Sequence, residues 1–415
     1  MRAMTKWRHD KQRRRIHWGL LLVAIILLGA GSAAYWKINQ PQKAASKKLQ
    51  NVSVRVTPAA PAAPTTVVGR YMFTGTSYWA RAIETEAHGD YNQPFSQLDT
   101  FHRDKYDAWQ TDMECPITNN VVPYADQVKL LVFNCRPEFL NAFTKYFNII
   151  NLANNHTDNQ GGITGLTETR NRLKDAGVQY LGTFDPAVAS DICEIIALPV
   201  RLEETGKPET KGNLPVAFCA WHYVFRLPRP GEIDVMKKFV DTFPVFAFAH
   251  MGREYIPKAD PVQEQIAHSI IDDGPEFLIA NQSHWVQNTE VYKGKLIVYS
   301  TGNFIFDQLD AETNRGDNVA VNLSVKADDN VKKWLALGPS CFGFQDDCFA
   351  KAQAQGLKKV QLNLAYSVVV SQGGYKLLTH RADAATQAAV EQRMNWTPTC
   401  AQLSAPYSCG TNDGL

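Results

Sequence analysis

The sequence predicts an α/β fold, and three kinds of observation predict it. Short apolar runs at 245–249, 277–280 and 296–299 each stop at polar residues: His250; then Asn281, Gln282 and His284; then Ser300, Gly302 and Asn303. Runs this short with such boundaries are those of buried strands. Between the first two lies a helix pattern, with Asp260 as N-cap, Pro261 at the first position, Val262, Ile266 and Ile270 at fourfold spacing, and Gly274 as stop. The arrangement recurs upstream, where 71–74 leads into Gly75 and Thr76, 108–111 into Asp112 and Glu114, and 148–153 into Asn154, Asn155 and His156. Open α/β sheets bind ligands beyond the carboxyl ends of their strands, which is where these polar residues fall.

In chain order, residues 1–17 form a basic flank, with Arg2, Lys6, Arg8, Lys11, Arg13, Arg14 and Arg15 against one acid, Asp10. The uncharged run 18–36 follows. As a helix it would extend roughly 28 Å, close to the hydrocarbon thickness of a bilayer. Trp18, Tyr35 and Trp36 stand where interfacial aromatics belong, and the positive flank keeps the N-terminus in the cytoplasm and directs the rest outward. Gly31, Ser32, Ala33 and Ala34 would suit a signal peptidase, but the run is longer than a signal core, which favours an uncleaved anchor. Residues 37–66, with an Ala/Pro tract and almost no large apolar side chain, read as a semi-extended spacer.

Residues 67–326 alternate apolar runs with helix patterns, as one α/β domain does. The stretch 137–147 places Phe139, Leu140, Phe143 and Phe147 on one helical face. A weaker helix at 165–176 stops at Gly177 and leads into a strand at 178–181, and 214–221 is a further apolar run. His268 falls on the helical face opposite Ile266 and Ile270 and is expected to face solvent. Residues 327–415 form a Cys-containing extension with a strand-like run near 360–372, a helix near 382–393 and a tail tied by a disulfide.

The chain is 45% hydrophobic and 20% charged, an ordinary globular composition. Its net charge of +2 gives no basis for nucleic-acid binding, because the one dense basic run is the N-terminal flank. Eight cysteines downstream of an export segment fit four disulfides, and proximity pairs Cys115 with Cys135, Cys193 with Cys219, Cys341 with Cys348 and Cys400 with Cys409. Buried free thiols are the alternative; a zinc site lacks the paired CxxC spacing.

The segments LANNHTDNQGG, AHMGREYIPKADPVQEQIAHSIIDDG and VYKGKLIVYSTGNFIFD resemble those of the bacterial capsule-synthesis CapA (PGA_cap) family, related in fold to calcineurin-like metallophosphoesterases, in collinear order over 68–325. The resemblance implies a four-layer sandwich of two mixed sheets flanked by helices, and a capsular polymer such as poly-γ-glutamate as the substrate class. It also implies a capsule-synthesis complex as partner, and one divalent metal ion (Mn, Zn or Fe). Carried over by residue, Asn155 is a metal ligand and His156 the general acid, Glu114 a carboxylate ligand in place of an aspartate, and His250 and His284 complete the metal set. Arg253 joins His156 in catalysis, and Arg81, Glu254 and Asn303 are assigned to substrate; guanidiniums suit carboxylate or phosphate.

The sequence departs from the family pattern in several places. Its first motif, usually Gly-Asp, reads Gly75-Thr76; two adjacent histidines are Asn281 and Gln282, followed by Ser283 in place of Pro; and the Asp three residues past the turn histidine is Asn159. Neutral oxygens bind divalent transition metals less tightly than the groups they replace. Three readings therefore stand: a one-metal hydrolase or transferase; a metal-free cluster of His156, His250, Glu114 and Arg253 that moves protons and binds anions; or a non-catalytic module that tethers an anionic polymer. Purely structural roles also exist, His250 as a strand-end cap, Glu114 as a solvated acid and His156 as a turn stabiliser. The expectation is a single-pass membrane protein whose extracytoplasmic domain acts in synthesis, export or anchoring of a surface polymer, with a metal-dependent phosphoesterase-type hydrolase as the alternative.

Overall fold

β1 (Thr66–Ser77) is shared by two arms of one sheet in the computed structural model, which describes residues 65–185, 189–343 and 347–410. Its first half pairs antiparallel with β5 (Cys193–Glu203) and β12 (Arg315–Lys326); its second half pairs parallel with β2 (Ala108–Met113) and β11 (Asn303–Ile305). From β5 the sheet continues through β6 (Thr210–His222), β7 (Val245–His250), β8 (Phe277–Asn281), β10 (Lys295–Val298) and β9 (Thr289–Tyr292). From β12 it continues to β13 (Asn363–Gly373) and β14 (Thr379–Arg381), with β15 (Tyr407–Cys409) alongside β13; β2 leads to β3 (Ile149–Asn151) and β4 (Gln179–Leu181). The result is a mixed α/β fold in which β1, β2, β3, β6, β7 and β8 end on the same side.

The apolar runs form strands because they are buried on both faces: every residue of β2, β7 and β8 is buried. Phe73 on β1 meets Phe218, Phe246, Phe248 and Phe277 at ring separations of 5.5–6.2 Å, which fastens β1 to β6, β7 and β8. Gly75 is dictated by close approach: a Cβ there would lie 2.3 Å from the Gly302 carbonyl oxygen, just before β11. Four disulfides join the cysteines in the pairs that proximity predicts. Such bonds belong to an oxidising compartment outside the cytoplasm.

The helix Pro261–Asp272 begins as its sequence dictates, with Asp260 Oδ1 accepting from the amides of Val262 and Gln263 at 2.9 Å each, a cap worth about 1 kcal/mol. Its buried face is Gln263, Ile266, Ala267, Ile270 and Ile271, whereas Val262 is half exposed, because a strict fourfold spacing drifts off the stripe of a 3.6-residue helix. His268 lies off the buried face, as its spacing predicts, but is only partly exposed: its Nε2 lies 3.0 Å from Glu290 and its ring stacks on Tyr292 at 3.9 Å. The stretch 137–147 keeps Phe139, Phe143 and Phe147 in the core, yet its helix shrinks to a 3-10 turn, Pro137–Phe139, and Leu140–Phe143.

The segment after Lys326 joins the same sheet, β13 pairing with β12 over ten residues. Its tail is pinned by buried Glu276, whose carboxylate meets Lys295 at 3.3 Å, Lys359 at 2.9 Å and the Tyr407 hydroxyl. The basic flank, the apolar run 18–36 and nearly all of the spacer lie outside the described residues. Among those described, no helix is long and apolar enough to cross a membrane.

Candidate functional site

His250, the last residue of β7, is fully buried and organises the site. Its Nδ1 lies 2.6 Å from Asp112 Oδ2 and 3.0 Å from Asn281 Oδ1, and its Nε2 lies 2.9 Å from Asn155 Oδ1. Glu114 Oε1 is 3.1 Å from that same Nε2 but out of line for a hydrogen bond, and neither Glu114 oxygen has a hydrogen-bond partner although the residue is 1% exposed. Burial opposes charge on His250, yet Asp112 and Glu114 outweigh it and push its pKa up to about 10. Burial would raise Glu114, but the close approach of His250 Nε2, with His284 and His156 nearby, holds it at about 2.

Local structure explains how these groups meet. Asp112 and Glu114 lie at the end of β2, where Asp112 is the register partner of Thr76. The disulfide from Cys115 to Cys135 fixes the backbone next to Glu114. Asn154 sets the following turn, donating through Nδ2 to Asp112 Oδ1 and to the Met113 carbonyl, and accepting through Oδ1 from the amides of His156 and Thr157. His156 stacks on Phe133 at 4.3 Å, and Asn159 Oδ1 lies 3.0 Å from its Nδ1. An amide there accepts the Nδ1 proton and leaves Nε2 as the working nitrogen. Burial holds His156 below its ordinary pKa against the pull of Glu114.

The remaining predicted residues divide. His284 Nδ1 bonds Asn303 Oδ1 at 2.8 Å, and Asn303 in turn donates to Thr313 and Gln308, so Asn303 orients His284. Arg81 is committed to Asp307 and the Tyr78 hydroxyl and covers Phe133. Arg253 and Glu254 instead line an open cleft of about 680 Å3 beside the site, with Gln282, Tyr223 and Val262, and Arg253 has no acidic partner among the described residues. Gln282 and His284 both have positive φ, 104° and 56°. Such backbone costs of order 1–3 kcal/mol each and persists where the surroundings enforce it.

Sequence reasoning placed Asp112 and Asn154 among the polar residues at strand ends but gave them no role, and it missed His222. His222 ends β6 beside His250, its ring 6.2 Å away and its Nε2 buried without a partner; burial and His250 lower its pKa to about 4. The signal was present, since 214–221 is another apolar run that stops at a histidine.

A cation fits the donors present. His250 Nε2, two unpartnered carboxylate oxygens of Glu114 and Asn155 Oδ1 form a mixed N/O set, and the Asp112 contact to Nδ1 is the outer support that a ligating histidine needs. Among the described residues, no three His, Cys, Asp or Glu side chains form a metal-holding group by themselves, so a cation here would need the Asn155 amide as well.

The profile of the bacterial capsule synthesis protein PGA_cap matches residues 66–197 and 232–308, half of the chain. The chain belongs to that family. Its relatives include the capsule biosynthesis protein CapA of Bacillus anthracis, 30% identical over 175 residues, covering 39% of this chain and 41% of that protein. The PGA biosynthesis protein CapA of Bacillus subtilis (strain 168) is 28% identical over 173 residues, covering 39% and 43%. This family member thus spans about two fifths of the length of these curated relatives. A phosphatase structure from Mycoplasma pneumoniae overlaps 72% of the chain and 94% of its own at 10% identity, with a TM-score of 0.35, too slight to carry an argument. Both PGA_cap segments contain site residues, the first Glu114, Asn155 and His156 and the second His250 and His284.

Proposed function

We propose that this PGA_cap protein is a membrane-anchored, extracytoplasmic factor in the synthesis, export or anchoring of an anionic surface polymer of the poly-γ-glutamate kind, working with other proteins of polymer synthesis. Family membership, the disulfides and the apolar run 18–36 support this reading. The two sheet arms are taken as the two sheets of a four-layer metallophosphoesterase-like sandwich. One observation carries the chemical part: a carboxylate, Glu114, is buried with both oxygens unpartnered beside an imidazole nitrogen and an amide oxygen.

In this reading Glu114, His250 Nε2 and Asn155 hold one divalent ion, with His284 at the rim. Mn, Zn or Fe, when bound, supplies Lewis-acid polarisation of an oxygen and a lowered pKa for water. Asp112 and Asn281 fix the His250 ring. His156, its tautomer set by Asn159, moves a proton at Nε2. Arg253 and Glu254 orient a chain lying in the adjoining cleft, the guanidinium taking a carboxylate or phosphate. The second reading, a phosphoesterase-type hydrolase, is favoured by the same unpartnered carboxylate, which a tethering module does not need.

The test is calorimetric binding of γ-linked glutamate oligomers to the full-length protein. Binding that weakens about tenfold, or about 1.4 kcal/mol, in Arg253→Ala supports the polymer reading. Absence of binding by the native protein counts against it. Reporter fusions after residue 66 that stay cytoplasmic would overturn the topology.

A further inference from the structure

A second cleft, of about 730 Å3, opens at the amino-terminal end of β1 and β2, between Arg70, the turn 103–107, and the start of β6 at Lys211. Along β1, Arg70 and Thr76 are separated by roughly 20 Å at about 3.3 Å per residue, so this cleft and the His250 site lie at opposite ends of the strands.

Its charge sets it apart. Twelve of the 43 Lys and Arg but one of the 41 Asp and Glu precede residue 65, so the remainder of the chain is net negative. The cleft is positive against that background. Five cations, Arg70, Arg103, Lys105, Arg201 and Lys211, face three acids, Asp104, Asp107 and Glu209, of which Arg201 meets Asp107 at 3.0 Å and Glu209 at 3.1 Å. Arg103 donates to neutral acceptors, the carbonyls of Tyr146 and Tyr106 at 2.7 Å and Asn148 Oδ1, and Asp107 is the acid near it. Lys105 and Lys211 are exposed and without an acidic partner among the described residues. The Arg70 guanidinium lies 4.9 Å from the centre of the Tyr106 ring. Arg70 Nε and the Tyr106 hydroxyl are both buried without a hydrogen-bond partner of normal geometry, and Tyr106 is only 5% exposed.

Cationic side chains thus line one cavity from β1, from the turn before β2 and from β6, with Tyr106 packed against Arg70. A carboxylate offers its oxygens in one plane, whereas a phosphate offers acceptors in several directions and carries more charge. The geometry points to a phosphate-binding cleft, independent of the His250 site, formed by Arg70, Arg103, Lys105, Tyr106 and Lys211. The phosphate belongs either to a free anion or to a phosphodiester headgroup.

Full-length protein titrated calorimetrically with inorganic phosphate and with sn-glycero-3-phosphoglycerol tests this. Saturable binding of at least one probe is expected. It should weaken tenfold or more when Lys105→Glu and Lys211→Glu are combined, weaken severalfold in Tyr106→Phe, and persist in His250→Ala. Both lysines are exposed, so circular dichroism should show the reversed variant folded. Tighter binding of the glycerophosphodiester identifies a headgroup as the source, and tighter binding of phosphate a free anion; either supports the cleft. No saturable binding of either probe, equal affinity in the reversed variant, or loss of binding in His250→Ala overturns it.

Discussion

Asp317 lies near the start of β12, fully buried, with neither carboxylate oxygen hydrogen-bonded. Burial, and then the charge of Glu391, raise its pKa well above the ordinary 3.8, so the folded protein holds a proton that the unfolded chain releases. The sign follows from linkage: stability falls as pH rises from the unfolded value toward the folded one, by up to about 1.4 kcal/mol per pH unit. Asp317→Asn keeps the shape and cannot ionise, so it removes this slope. The amide is as unsatisfied there as the protonated acid, so the two proteins should be nearly equal in stability near pH 4, and above it the variant should be the more stable by up to about 1.4 kcal/mol for each pH unit between the unfolded and folded pKa. Urea unfolding of both proteins at several pH values isolates the effect, since all other groups are common to the two. Parallel pH profiles would refute the reasoning.

Glu276→Gln should destabilise by about 3–5 kcal/mol, because Lys295 and Lys359 then face no carboxylate; urea unfolding reads this directly. Burial raises Glu276 but Lys359 and Lys295 more than offset it, so its pKa is lowered and its contribution, present at neutral pH, should fade as pH falls through the acid range. Joint replacement of Cys115 and Cys135 by serine opens a loop of sequence separation 20 and should cost about 3 kcal/mol. Phe246→Ala, which empties the ring cluster around Phe73, should cost about 3–5 kcal/mol by the same assay.

Much of this architecture is legible in the sequence because burial writes itself into short runs. The strands ending at His250 and Asn281, the helix capped by Asp260 and the cysteine pairs all follow from local pattern. Side-chain partnership is less legible, since it depends on register between distant strands. Nothing local announces that Asp112 meets Thr76 across β1 and β2, and so supplies a carboxylate close to where the family pattern puts one at 76. Arg81 looks like a substrate residue until Asp307, 226 positions away, is found to hold it. His222 follows an apolar run as His250 does, but no family motif surrounds it.

We propose that Glu114, His250 and Asn155 hold one cation, and elemental analysis of the protein decides it. Full-length protein equilibrated with Mn, Zn or Fe and then dialysed should retain a single ion per chain. Glu114→Gln and His250→Ala, checked for native circular dichroism, should retain none. A native protein that emerges metal-free, or variants that keep as much metal as the native chain, would contradict the account.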